Sequence, residues 1–266
     1  MITDTPLPIT VPPINRCRGF FAYTAQGERY LDLFLEHGSL VPGHRIKGIG
    51  TGLKNFLEKG AWGHYPTVWR TRAEKSLLGF FETYSLVSFF PGIRTATEIL
   101  ARETGNIRID DPAGPGSLEK GMAKACIWRP HLPAPVSYEY LIPWLPYSGS
   151  LLPVTVLSTQ PLETGYQPPA YQLSVMPKLL AFMKAYVSED FSGFWKRMDH
   201  PLWTRNGPYI FPNIDRTEYG RLFDFFLRNR IILSPDINGP SVLPDTLSDG
   251  EIAKFIRTSE DFYGRI

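Results

Sequence analysis

The stretch FFPGIRTATEILARETG, Phe89 to Gly105, decides how this chain is read. A strand-like apolar run stops at Pro91-Gly92, a Thr-rich turn follows, and a helix carrying Ile99, Leu100 and Ala101 runs to Gly105. Free backbone N–H groups and the positive end of the helix dipole gather at such a turn, which suits a phosphate. Thr95 and Glu98 also stand in the T-x-x-E spacing of a capping box, which satisfies the same amides without a ligand. Equivalent spacings at Thr71/Glu74, Asp215/Glu218 and Ser248/Glu251 mark other helix starts. On local chemistry alone the turn is either an anion site or a plain helix start.

Composition narrows the class. A chain of 266 residues suits one large domain or two smaller ones sharing a core. Its 17 Phe, 13 Tyr and 6 Trp supply ample apolar surface to bury. The net charge is +2 with no basic block, which argues against a nucleic-acid partner. Residues 1–18 hold Pro6, Pro8, Pro12 and Pro13 and lack the pattern of a secretory signal. The longest apolar runs, such as Leu151 to Leu157, are broken by Pro and too short to span a bilayer, so no membrane partner is expected. Cys17 and Cys126 form neither a CxxC motif nor a disulfide framework. A reducing cytoplasm is the default, with both cysteines as small packing residues.

Residues 1–17 read as an extended, Pro-rich arm, and GFFAYTAQGERYLDL as two strands around Gln26-Gly27. Helical periodicity follows at residues 46–57, from Thr71 to about Tyr84, and in the opening stretch. The Pro-rich segment 105–170 leaves room for short strands near 125–128, 138–144 and 153–158. A helical stretch over 170–187, interrupted at Pro177, leads to a strand GPYIFPNI, a helix TEYGRLFDFFLRNR, a strand IILSP and a last helix from Asp249 to about Tyr263. Tyr219, Leu222, Phe223, Phe226 and Leu227 fall on one face of the penultimate helix. This β-α-β-α order makes a compact α+β lobe.

Taken in order, these segments resemble a known family. Gly27, Tyr30, Leu31, Asp32, Gly38, Gly43 and His44 match the opening of class III pyridoxal-phosphate aminotransferases, and residues 218–256 resemble that family's C-terminal lobe, most closely the glutamate-1-semialdehyde aminomutase branch. IRTATEILARETG sits where the family has S-G-T-E-A-x-x-x-A-x-x-L-A-R-x-x-T-G. The resemblance implies an α/β fold: a truncated PLP-dependent transferase (fold type I) large domain with an α+β small domain. It divides the chain into an N-terminal arm and strands (1–45), a shortened large domain (46–170) and a connecting helix with the small domain (171–266).

The resemblance also implies that the opening turn holds a cofactor phosphate, which places Gly92, Arg94, Thr95 and Thr97 around it and Thr164, in TGYQPPAYQ, as a contact from a neighbouring subunit. The family's S-G-T-E is replaced here by Pro91-Gly92-Ile93-Arg94. Only 44 residues separate Arg102 from Tyr147, where family members spend far more, so strands are lost, with the acid and the aromatic residue that would hold the cofactor ring. The family's imine-forming lysine falls at Pro146, and proline cannot form an imine. Lys120, Lys124 and Lys178 read as solvated surface charges. Asp110-Asp111, ahead of Pro112, reads as a turn.

His37, His44 and His64, with Asp32 and Glu36, fit no zinc template, so packing or turn roles and no metal are expected. Tyr65 and Trp69 are candidates for lining a cofactor cleft. Ser148-Gly149-Ser150 is no nucleophile elbow, and DDPAGPGSLEKG is a loop without G-K-[ST]. The reading is a degenerate aminotransferase-fold protein with no catalytic lysine and no pyridoxal phosphate, acting through a small anionic ligand or another protein. The alternative is an aminotransferase- or aminomutase-like enzyme with a relocated lysine and the cofactor bound, or with a new activity. A homodimer is the expected assembly, as the resemblance implies.

Overall fold

The computed structural model describes residues 10–60, 65–105, 108–114, 123–133, 138–162 and 165–265. The chain forms two compact units, one from Met1–Arg45 and Asp190–Ile266 with a short insertion, the other from Ile46–Pro112 and Ser117–Glu189.

The first unit begins with a meander, β1 (Ile14–Arg18), β2 (Phe21–Thr24) and β3 (Arg29–Asp32). The end of the Pro-rich arm is therefore a paired strand, with Cys17 opposite Ala22 and Ala22 opposite Tyr30. Alternation leaves Cys17 the only half-buried residue of β1, packed on Ala22, Tyr30, Phe34 and Ile232. After β3 the one-turn element α1 (Leu35–Gly38) takes the chain through left-handed backbone, with positive φ at Leu35, Glu36, His37 and Gly38.

The second unit holds α2 (Ile49–Leu57), α3 (Val68–Leu78), β4 (Leu86–Phe90), α4 (Ile93–Thr104), β5 (Ile109–Asp110), β6 (Ala125–Trp128), β7 (Tyr140–Pro143), β8 (Val154–Ser158), α5 (Ala170–Ser174) and α6 (Met176–Tyr186). Its sheet has the order β4-β8-β7-β6-β5. β5, β6 and β7 are parallel, and β8 runs antiparallel to both β7 and β4. Four strands thus point the same way. Every residue of β6, β7 and β8 is buried, which explains their unbroken apolar sequences. Pro177 does not end a helix but opens α6, where its missing N–H costs nothing.

The chain returns to the first unit with α7 (Ser192–Lys196), β9 (Trp203–Asn206), β10 (Tyr209–Pro212), a 3-10 turn (Arg216–Glu218), α8 (Tyr219–Arg228), β11 (Ile231–Ile232), β12 (Ser241–Val242) and α9 (Asp249–Tyr263). β11 joins β3 in parallel, so the order β1-β2-β3-β11 spans the whole sequence. Trp203 lies edge-on to Phe226 and stacks on Phe255, while its indole N–H donates to Ser259 Oγ at 3.0 Å. That bond satisfies the one polar side-chain atom of Trp203.

Two of the four capping boxes are corrected. α4 starts at Ile93 with Gly92 as its uncapped N-cap, so Thr95 is already inside the first turn. α3 starts at Val68 and is capped by Thr67, whose Oγ1 accepts from Trp69 N at 3.3 Å, rather than by Thr71. Spacing alone cannot choose between two threonines four residues apart. Asp215 does cap its turn by accepting from Thr217 N, and Ser248/Glu251 form the full reciprocal box. Among the described residues no helix is long and apolar enough to cross a membrane.

Candidate functional site

In an open sheet with parallel strands, ligands gather beyond the carboxyl ends of those strands. Here that edge receives the ends of β4, β5, β6 and β7, and with them the Gly92 turn, Asp110-Asp111, Arg129 and the β7–β8 connection that contains Pro146. The strand spacing sets the Gly92 turn and Arg129 about 14 Å apart along the edge.

Gly92 is extended and half-buried, and no side chain caps the helix it starts. Ala96 N bonds back to Gly92 O at 3.2 Å, and the amides of the first turn ahead of it have no intrahelical acceptor. Thr97 Oγ1 donates to Arg94 O at 2.8 Å. Arg94 is exposed and lies against Glu98 at 3.5 Å, one turn along the helix. The structure therefore brings Gly92, Thr95 and Thr97 together on one turn, with the Arg94 head paired along the helix. Thr164 lies outside the described residues, as do His64 and Lys120.

The far side of the edge is occupied by charge. Arg129, the residue after β6, is fully buried and makes a bidentate bond to Asp111, Nε to Oδ1 and Nη2 to Oδ2, both at 2.7 Å. Asp110 ends β5 and accepts the Tyr138 hydroxyl. Burial, then that hydrogen bond, pushes the Tyr138 phenol well above its usual range. The Asp110-Asp111 turn is thus corrected to two acids with separate side-chain partners, and burial and their charge push the Cys126 thiol up, out of reach of thiolate chemistry. Sequence reasoning missed Arg129. Its signal was an arginine directly after the four-residue apolar run Ala125–Trp128, because a cation there must find a buried acid.

Pro146 sits in the connection that returns β7 into β8. Its neighbour Tyr147 has φ 68° and accepts from Ile46 N at 3.3 Å, while Leu152 N and Gly149 N close the following turn. Lys178 is exposed on α6, and Lys124 is exposed beside Glu139 at 3.8 Å. Pyridoxal phosphate, the group this fold implies, needs an amine at the connection to hold its aldehyde. The residues present do not fit it, since a proline stands there and a closed Arg–Asp pair fills the neighbouring strand end.

A separate cavity of about 450 Å³ lies between the start of α3 and the segment before α5, lined by Tyr65, Thr67, Arg70, Thr71 and Gln167 among others. Tyr65 lines this cavity, and Trp69 packs edge-on against Phe56. Among the described residues no group of His, Cys, Asp and Glu could hold a metal ion.

Comparison with known proteins agrees with this architecture. No family model matches the chain. An uncharacterized protein of Borreliella burgdorferi is 28% identical over 256 residues, 95% of this chain and 91% of that protein. An uncharacterized protein of Treponema pallidum is 24% identical over 87% of this chain and 88% of its own length. A glutamate-1-semialdehyde 2,1-aminomutase of Hyperthermus butylicus is 27% identical over 99 residues, 36% of this chain and 22% of the enzyme. Among solved structures, ornithine delta-aminotransferase of Plasmodium falciparum superposes with a TM-score of 0.71 at 14% identity, covering 99% of this chain and 96% of that one. Acetylornithine aminotransferase of Elizabethkingia anophelis gives 0.65 at 14% identity with the same coverage. The chain has the fold of the class III pyridoxal-phosphate aminotransferases, fold type I, in 266 residues.

Proposed function

We propose that this protein uses an aminotransferase fold for binding and does not carry out pyridoxal imine chemistry. One observation carries the reading: at the carboxyl edge of the sheet, the connection that should offer an amine offers Pro146, and the adjacent strand end is closed by Arg129 and Asp111. An imine needs a nucleophilic nitrogen beside the aldehyde, and packing elsewhere does not replace it. A small anionic ligand, if held at this edge, meets the uncapped amides of the Gly92 turn, and two unpaired cysteines suit a reducing cytoplasm.

The test is incubation with pyridoxal phosphate followed by borohydride and peptide mass mapping. The expected result is no stoichiometric lysine adduct. A single lysine carrying one equivalent of reduced cofactor overturns the reading in favour of an enzyme with a relocated lysine.

The same reading includes a homodimer. Leu57, Tyr65 and Val68, on and beside the α2 and α3 faces, are large and exposed, and apolar groups of this size favour a partner surface. A dimer of the obligate kind would bury more than ~2,000 Å². Sedimentation equilibrium at micromolar protein checks it, and a single species at the 30.2 kDa monomer mass refutes it.

A further inference from the structure

We propose that a cavity between the N-terminal arm and α8 binds a small zwitterion, an α-amino acid with an apolar side chain. The cavity holds about 320 Å³ and is lined by Thr10, Pro12, Tyr30, Asp224, Leu227 and Arg228, all of the first unit. That volume is at the lower end for ligand sites and suits one small metabolite.

The fold builds the cavity from two walls. α8 turns Tyr219, Leu222, Phe223 and Phe226 into the core. Asp224, Leu227 and Arg228, spaced i, i+3 and i+4, therefore share another face, and that face meets the arm. Val11 of the arm and Leu227 of the helix both pack on the cluster of Ala22, Tyr30, Phe34 and Ile232, which fixes the gap between the walls.

The polar groups of this lining have no partner of their own. Asp224 and Arg228 carry opposite charges one turn apart with the acid first, the order that favours pairing on a helix. Lys54/Glu58, Arg70/Glu74 and Arg94/Glu98 close at the same spacing, at 3.9, 2.9 and 3.5 Å. Asp224 and Arg228 do not close, and neither has an ion-pair or hydrogen-bond partner among the described residues. Tyr30 is nine-tenths buried, yet its hydroxyl also has no hydrogen-bond partner among the described residues. A buried phenol ordinarily finds one.

These three groups sort ligands by charge. The Asp224 carboxylate accepts from an ammonium, the Arg228 guanidinium donates to a carboxylate, and the Tyr30 hydroxyl serves either. A ligand with one sign of charge satisfies one of the two charged side chains and is repelled by the other. An α-amino acid carries both charges on one carbon and bridges the gap of about 6 Å between the Cβ atoms of such a pair. Pro12 and Leu227 then offer its side chain apolar surface, which favours a leucine-like group over a charged one. Binding joins the arm to α8 and β3 with no covalent step. The site lies in the other unit from the Gly92 turn, so it stands or falls separately from the reading of that turn.

The test is isothermal titration calorimetry of the full chain with L-leucine. Saturable binding is expected, with a Kd on the order of 1 mM. Leucinamide, which lacks the carboxylate, and isocaproate, which lacks the ammonium, are each expected to bind about tenfold more weakly or worse. Arg228→Ala and Asp224→Asn are expected to weaken L-leucine about tenfold and Tyr30→Phe about threefold, whereas Arg94→Ala, beside the Gly92 turn, leaves it unchanged. Asp224 and Arg228 are exposed on their helix, so their variants keep the core intact. If a variant does not fold, the wild type against the three ligands decides alone. No saturable heat from L-leucine up to ~20 mM, equal binding of leucinamide or isocaproate, or undiminished binding in a folded Arg228→Ala protein overturns the proposal.

Discussion

Each unit buries an ion pair at the end of a strand, and the two differ in kind. Arg129 and Asp111 meet in a bidentate fork at the ends of β5 and β6. Asp32 and His44 join a carboxylate that also accepts two amides to a ring that titrates. The first pair is a two-bond structural fork; the second includes a ring whose charge depends on pH. The chain has a fixed device where the sequence departs from the aminotransferase pattern and a responsive one where it follows that pattern.

The comparison breaks most readily at Arg129. Arg129→Ala removes the fully buried guanidinium that Asp111 pairs with and is expected to cost ~3–5 kcal/mol in urea unfolding, while Arg129→Leu combined with Asp111→Leu recovers most of the loss. A single mutant costing under ~1 kcal/mol would mean that water reaches the pair.

The second pair is sharpened by pH. The folded pKa of His44, about 10, lies above its unfolded value near 6.5, so its contribution is complete below the unfolded value and is lost as pH rises through the folded one. Unfolding free energy is expected to fall between pH 6.5 and 10 in the wild type, with a shallower slope in Asp32→Asn. An unchanged slope would place the titrating group elsewhere.

The smallest effects separate true caps from apparent ones. Ser248→Ala and Thr67→Ala should each cost ~1 kcal/mol, and Thr95→Ala less than ~0.5 kcal/mol, by thermal or urea unfolding. A Thr95→Ala cost equal to that of Ser248→Ala would restore its capping role.

What could be read from residues alone follows the range of the interactions. The last helix was legible from Ser248 to Tyr263, because a capping box and an amphipathic face are local facts. The buried strands near 125–128, 140–143 and 154–158 were legible as apolar runs between prolines. β5, β11 and β12 are two residues each and exist only through partners distant in sequence, so no periodicity marks them. The same distance hid the site residues. Asp111 meets Arg129 and Asp32 meets His44 across intervening elements, whereas Pro146 and Gly92 were singled out because ordered motifs flank them.

The sheet order also fixes when each unit can fold. β4 has β8 as its strand partner, and both belong to the stretch from Ile46 to Glu189, so the sheet of the second unit can close soon after residue 158 is available. β3 must wait for β11, some two hundred residues later, because loop closure precedes any gain from so distant a pairing. On a ribosome making chain from the N-terminus, the meander emerges first and is completed last. Through most of synthesis Cys17 and the half-finished edge beside Leu31 stay without their final cover, and a chaperone or a stray thiol would meet them there.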